Sequence, residues 1–353
     1  MSQTIKQIIQ QQYTMCAKDP VFFMREYCYI QHPKKGKIKF NLYPFQEESL
    51  TELRDNRYNV ILKSRQLGIS TLSAGFALWS MLFKDDFNVL VIATTQEVAK
   101  NLVTKVRVMH DNLPSWLKGT IEADNKLSLK FKNGSQIKAV SSATTGARSE
   151  ALSLLIIDEA AFIRNIEEIW VASQATLSTG GGAIVLSTPN GVGNWFHSVW
   201  SEAEQEINGF HTIKLHWTVH PDRDQSWRDE QTRLLGERGA AQECDCDFIS
   251  SGHTVVDGAI LMDYELKCID PIEKRGFDNA YWVWEYPNYE KDYIVVADVA
   301  RGDGGDWSTF HVIDVQDVVQ VAEYKGKLPP KDFGNMLVSV ATEWNNALLA
   351  TEN

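Results

Sequence analysis

Residues 59–71 read Asn59-Val60-Ile61-Leu62-Lys63-Ser64-Arg65-Gln66-Leu67-Gly68-Ile69-Ser70-Thr71, and a helix-like segment through Leu72, Phe76 and Leu78 follows. An apolar strand, a short polar loop and a helix N-terminus in this order make an anion cradle, because loop N–H groups and the helix dipole converge on phosphate. The standard phosphate loop reads G-x-x-x-x-G-K-[ST], and Gly68 and Ser70 fit that frame. Two positions depart from it: Ile69 stands at the lysine position and Lys63 at the first glycine. A lysine stem is long and flexible enough to fold back across the loop and place its ammonium on the β- and γ-phosphates from the other end. In isolation the same stretch also fits a plain polar strand-to-helix turn.

Further along, the runs Val89-Leu90-Val91-Ile92-Ala93, Leu154-Leu155-Ile156-Ile157 and Ala183-Ile184-Val185-Leu186-Ser187 alternate with helix-like segments. Such runs, apolar on both faces, indicate an α/β fold with a mostly parallel sheet covered by helices on both faces. The run Leu154 to Ile157 ends in Asp158-Glu159. Buried strands seldom end in adjacent carboxylates without a use, and a Walker B segment requires this pattern: Asp158 for the Mg²⁺ shell, Glu159 to orient and deprotonate an attacking water. Both acids are expected at the carboxyl edge of the sheet, beside the phosphate loop, where open α/β sheets bind ligands. Lys130 to Val140 reads as two short strands joined by Asn133-Gly134, a hairpin signal. The first 30 residues carry helical spacing and predict one or two packed helices.

The 353 residues, 44% hydrophobic and 23% charged, are enough for two or three domains. No apolar run approaches the roughly 20 residues that span a bilayer, and the N-terminus lacks a signal-peptide layout, so neither a membrane nor export is expected. The 5 cysteines form no Cys-x-x-Cys pair and predict free thiols. A net charge of -11 argues against a protein that binds nucleic acid over its whole surface, so any DNA contact must be local. The densest basic stretch, Lys34-Lys35-Gly36-Lys37-Ile38-Lys39, fits an edge strand or turn and also a backbone contact.

Taken together, Ser64-Arg65-Gln66-Leu67-Gly68, Ile157-Asp158-Glu159-Ala160 and Leu186-Ser187-Thr188-Pro189-Asn190-Gly191 resemble, in order and spacing, the ATPase of phage large terminases, a P-loop NTPase of the ASCE type. The resemblance covers nearly the whole chain, and some members of that family also carry the phosphate-loop lysine early, as Lys63 does here. It implies that residues Lys63 to Thr71 and Asp158 hold ATP, with Ser70 and Asp158 on Mg²⁺, and that Ser187 and Thr188 sense the γ-phosphate and couple hydrolysis to movement. Tyr43-Pro44-Phe45-Gln46 resembles the segment that reads adenine through Gln46, with Tyr43 or Phe45 packing against the ring. Two arginines are candidates for neutralising transition-state charge: Arg65 in cis, and Arg148, eleven residues before Glu159, offered to a neighbouring subunit. Each also fits a surface ion pair. Val91 to Gln96 resembles the motif after the second strand of related translocases and helicases.

The resemblance divides the chain into an ATPase core over 1–207, a small lid or transmission subdomain and linker over 208–270, and a ribonuclease-H-like nuclease over 271–353. In the last, Asp298, Asp306 and Glu352 match metal-binding acids for Mg²⁺ or Mn²⁺, since two-metal cleavage needs carboxylates converging on ions about 3.5–4 Å apart. The sequence ends at Asn353 before the family's remaining strands and last aspartate, so the expectation is a partial nuclease domain that does not cut DNA beside a working ATPase. The implied function is ATP-driven packaging of double-stranded DNA into a procapsid. Its implied partners are the portal protein, the small terminase subunit and further copies of the chain in a ring, with a monomer in solution. The implied location is the host cytoplasm, with transient docking on the procapsid. A helicase-type translocase and a nucleotide-binding scaffold without turnover are the competing readings. The intact Asp158-Glu159 pair speaks against the scaffold.

Overall fold

The computed structural model describes residues 3–32, 34–141, 151–248, 267–276, 279–300 and 306–351. The chain divides into two compact units, Met1–Met262 and Asp263–Asn353. None of the described helices is long and apolar enough to cross a membrane.

The first unit opens with α1 (Gln3–Lys18) and α2 (Pro20–Tyr27), the two helices expected from periodicity, and the Trp79 indole N–H ties α1 down by donating to the Cys16 carbonyl at 2.7 Å. The lysine-rich stretch lies on an antiparallel hairpin, β1 (Tyr29–His32) with β2 (Gly36–Lys39), where Lys37 donates to Asn112 Oδ1 and Lys39 pairs with Glu26. After α3 (Pro44–Asp55) the continuous apolar runs become the centre of one sheet: β3 (Tyr58–Lys63), β4 (Asn88–Ala93), β8 (Leu154–Asp158) and β9 (Gly182–Ser187). With β5 (Ile121–Asn125), β6 (Ser128–Phe131), β7 (Gln136–Ser141) and β10 (His211–Leu215) the strand order is β10-β3-β9-β8-β4-β7-β6-β5. All neighbours from β10 to β7 are parallel, and the Asn133-Gly134 hairpin supplies the antiparallel β6–β7 pair. Gly134 takes φ 84, and a Cβ there would sit 1.9 Å from Asp86 Oδ1.

Alternate residues of each central strand serve opposite faces. Ile61, Val91, Ile156 and Leu186 join a core with α4 (Ile69–Phe83) and α5 (Gln96–Asp111), whereas Val60, Ile92, Ile157 and Val185 join one with α6 (Ile166–Leu177) and α7 (Trp195–Glu204). Burial on both faces explains why these strands read as unbroken apolar runs. The stretch 208–270 departs from the sequence expectation: it supplies β10, which pairs in parallel with β3 as an edge strand of the main sheet. A short edge strand with Lys214 exposed carries no continuous apolar run, so the pattern hid it. The expected boundary after 207 therefore does not divide the first unit. Beyond β10, α8 (Gln225–Ala240) is broken at Gly236 and runs into a π-helical turn, Ala241–Asp245.

The second unit holds a sheet of order β11-β12-β15-β14-β13-β16, formed by β11 (Glu273–Arg275), β12 (Tyr281–Val283), β13 (Tyr293–Asp298), β14 (Ser308–Asp314), β15 (Val319–Gly326) and β16 (Leu348–Thr351). The β13-β14-β15 meander is antiparallel, and β16 returns parallel to β13 after α9 (Pro330–Glu343). That arrangement matches the ribonuclease-H-like expectation. Its core gathers Phe310, Tyr324, Phe333 and a fully buried Trp344, whose indole N–H donates to Tyr281 Oη at 2.8 Å. Cys16, Cys28, Cys244 and Cys246 are buried, and burial pushes the Cys16 and Cys246 thiols up to about 12.

Candidate ATPase site

Three strands deliver the site. Register places Leu62 of β3 opposite Ser187 of β9, and Leu186 of β9 opposite Asp158 of β8, so Lys63, Ser187 and Asp158 end neighbouring strands at one edge. The Lys63 ammonium lies 3.2 Å from Glu159 Oε1. A lysine and a glutamate separated by 96 residues in the chain thus meet directly, with the lysine side chain 7% exposed and the glutamate 34%. Glu159 itself sits in the left-handed region at φ 56 and ψ 43, and its N–H is held by Asp158 Oδ1 at 3.0 Å. A non-glycine residue in that conformation costs about 1–3 kcal/mol, and such strain concentrates at functional sites.

The loop from Ser64 to Gly68 opens α4, with Gly68 as its N-cap at φ 77. Among the described residues, the N–H groups of Gln66, Leu67, Gly68, Ile69 and Ser70 find no protein acceptor, whereas Ser64 N–H donates to the Leu215 carbonyl and Arg65 N–H to the Glu243 carbonyl. Successive donors at a helix N-terminus beside a lysine form the cradle that phosphate oxygens fit. The side chains of Leu67 and Ile69 are buried in the core, so these two residues offer the ligand only backbone. Ile69 does not replace the missing lysine in any chemical sense, and Lys63 is the lysine that stands at the start of this loop. Ser70 Oγ and Asp158 are oxygen donors of the kind Mg²⁺ takes, and the residues present fit that ion.

Gln46 is buried beside the loop: Nε2 donates to the Leu67 carbonyl at 2.8 Å, and Oε1 accepts from Tyr43 N–H at 3.1 Å. Both ends of its amide therefore hold protein, and Gln46 braces the loop while keeping only one further N–H for a base. Tyr43 and Phe45 stack on each other at 5.7 Å, and the His220 ring lies 4.5 Å from Tyr43. Burial lowers the pKa of His220, helped by the nearby Arg223 charge, so its ring is neutral at pH 7.

Beyond the acids, Ser187 Oγ accepts from Ala161 N–H at 3.2 Å, and Asn190 Nδ2 donates to the Ala161 carbonyl at 3.1 Å. The strand-end motif thus grips the segment after Glu159 at two points. Thr188 is buried at the same edge. Arg65 is exposed and spends its guanidinium on Glu243, 3.1 Å away. Arg148 and Glu352 lie outside the described residues. Asp298 ends β13 next to a cavity of about 340 Å³ that Thr309, His311 and Thr351 also line. Asp306 Oδ1 accepts from Trp307 N–H, and among the described residues no group of three or more His, Cys, Asp or Glu side chains is gathered to hold a metal.

Four residues of the site neighbourhood were missed by sequence reasoning. Arg223 donates to Ser64 Oγ and to the Arg65 and Gln66 carbonyls, Glu243 holds Arg65, and His220 packs on Tyr43. Lys105 of α5 feels Asp158 and Lys63, and burial lowers its pKa, with Asp158 working against that shift. None belongs to a local motif, and only the closed fold brings them in.

The model of the family described as terminase large subunit, T4likevirus-type, N-terminal, matches residues 60–261. The large terminase subunits of Thermus phage G20c and Thermus virus P23-45 are each 27% identical over 187 residues, 48% of this chain and 35% of theirs. The chain spans about a third of the length of these relatives in the match. Among solved structures, the ATPase domain of the Thermus phage P74-26 large terminase superposes with a TM-score of 0.50 at 21% identity, covering 60% of this chain and 95% of that one. The HK97 bacteriophage large terminase gives 0.53 at 15% identity, covering 95% and 74%. Both likenesses show the fold: a P-loop-type α/β unit with a mostly parallel sheet. With the family model spanning more than half of the sequence, including the phosphate loop, the Asp158-Glu159 edge and the Ser187-Thr188-Pro189 turn, the chain belongs to the large terminase subunit family of the T4-like-virus type.

Proposed function

We propose that this chain hydrolyses ATP to drive double-stranded DNA into a viral procapsid. The observation that carries the reading is the contact of Lys63 with Glu159 at 3.2 Å beside five successive N–H groups that find no protein acceptor among the described residues. In the resting arrangement Lys63 neutralises Glu159. A triphosphate in the cradle competes for the same ammonium, and once Lys63 turns to phosphate oxygen, Glu159 is released to take a proton from water. Mg²⁺, held by Ser70 and Asp158, would neutralise charge on the β- and γ-phosphate oxygens. Ser187 and Asn190 carry any displacement at Glu159 into β9 and α7 through Ala161. Arg65 and Arg148 remain the two candidates for a finger: Arg65 must first leave Glu243 to serve in cis.

The name of the curated relatives, terminase large subunit, supports the packaging role. The portal protein, the small terminase subunit and a ring of further copies are the proposed partners, and the host cytoplasm and procapsid the proposed place of action. In the second unit, Asp298 and Asp306, with Glu352, are proposed as acids that bind Mg²⁺ or Mn²⁺. Translocation is tested by displacement of a labelled third strand from a duplex. The expected result is release that needs ATP and disappears in Glu159→Gln. Nucleotide binding with no displacement and no turnover would instead favour the scaffold reading.

A further inference from the structure

One side chain far from the loop in sequence holds the phosphate loop from outside. The Arg223 guanidinium lies over the Trp227 ring, 4.3 Å from its centre, and donates from Nη1 to Ser64 Oγ at 3.3 Å and from Nη2 to the carbonyls of Arg65 and Gln66 at 3.0 and 3.1 Å. A peptide unit is planar and trans, so the C=O of one residue and the N–H of the next point in opposite directions. Drawing the Arg65 and Gln66 carbonyls outward therefore turns the N–H groups of Gln66 and Leu67 inward. These are the first two of the five donors that find no protein acceptor among the described residues. Gln66 takes φ 60 to present them, a left-handed conformation that a non-glycine residue holds only when its surroundings impose it.

The neighbouring arginine shows what an ordinary structural role looks like. Arg228 forms a salt bridge with Asp245 inside the segment that follows β10. Arg223 instead directs a half-buried cation at neutral acceptors, and those acceptors are the outer surface of the loop. Its other support, Trp227, fixes the guanidinium plane and leaves the N–H fork free to bridge two carbonyls, which an ammonium does less well.

We propose that Arg223 is a positioning residue that shapes the first half of the phosphate cradle by pinning two loop carbonyls. The proposal rests on the reading of this loop as the nucleotide site. Donors aligned by Arg223 grip phosphate oxygens in the bound ground state and in the transition state alike, so their loss raises KM more than it lowers kcat.

The test is steady-state phosphate release and equilibrium binding of a fluorescent ATP analogue, with melting temperature followed alongside. Arg223→Ala is expected to raise KM for ATP, and the Kd of the analogue, about tenfold while kcat stays within about threefold. Arg223→Lys, which restores one donor group near the carbonyls, recovers part of the loss. Arg223→Met keeps the apolar stem on Trp227 and removes only the donors, so it serves if the alanine variant does not fold, with the same rise in KM expected. A wild-type KM in Arg223→Met, or a fall in kcat and melting temperature with KM unchanged, overturns the proposal. Saturable ATP binding by the wild-type chain that Lys63→Ala weakens checks the nucleotide reading separately. Its absence overturns both, whereas its presence with an unaltered Arg223→Met overturns the proposal alone.

Discussion

Glu159→Gln is expected to hydrolyse ATP at least ~100-fold more slowly than the parent chain while binding ATP and Mg²⁺ at least as tightly, because general-base catalysis typically contributes 10²–10⁴. The two side chains are isosteric, so the left-handed backbone at φ 56 and the Asp158 contact to the Glu159 N–H need not change. What changes is the charge opposite Lys63. A neutral amide no longer competes for the ammonium, so phosphate gains it more easily. Asp158→Asn separates the two acids: it is expected to weaken Mg²⁺-dependent binding, since Asp158 is buried at the strand end among the groups that fit the ion. Single-turnover hydrolysis together with isothermal titration distinguishes these outcomes, and equal losses of affinity in both variants would remove the division of labour between them.

The second large effect is at Lys63. Lys63→Ala removes the lysine in contact with Glu159 and is expected to abolish measurable turnover and to weaken nucleotide binding, because the cradle then offers phosphate backbone dipoles beside a carboxylate that has lost this lysine. The natural control is position 69, where other phosphate loops carry their lysine. Ile69 is 1% exposed, so alanine there would open a cavity and confuse stability with binding. Ile69→Val is the cleaner comparison, expected to cost about 0.5–1.5 kcal/mol of stability and to leave ATP affinity unchanged. Equilibrium binding of ATP to the two variants checks this. Tight binding by Lys63→Ala would place the phosphate-binding charge elsewhere.

Much of this architecture is legible along the chain because the central strands are buried on both faces. Val60 to Leu62 and Leu154 to Ile157 cannot afford polar residues, so their runs declare both the sheet and the edge where Lys63, Asp158 and Ser187 gather. Local geometry is legible for the same reason at Asn133-Gly134, where the turn imposes its own residues. β10 was not, because an edge strand with one side open to solvent alternates and stays short. Arg223 and Glu243 escaped for another reason. They reach the loop across 157 to 178 residues of chain, and nothing near either residue marks it as a partner of the phosphate loop. Gln46 was visible as a residue of interest, but its bonds to Leu67 and Tyr43 show a brace for the loop that the motif alone does not contain.

The central claim, that the Lys63–Glu159 edge is the ATP-hydrolysing centre of a DNA-translocating motor, is tested most directly by phosphate release from ATP by the 353-residue chain, with and without double-stranded DNA. The account predicts Mg²⁺-dependent release that double-stranded DNA accelerates and that Lys63→Ala eliminates in both conditions. Release that survives Lys63→Ala, or a wild-type chain that binds ATP yet never releases phosphate with DNA present, would contradict it.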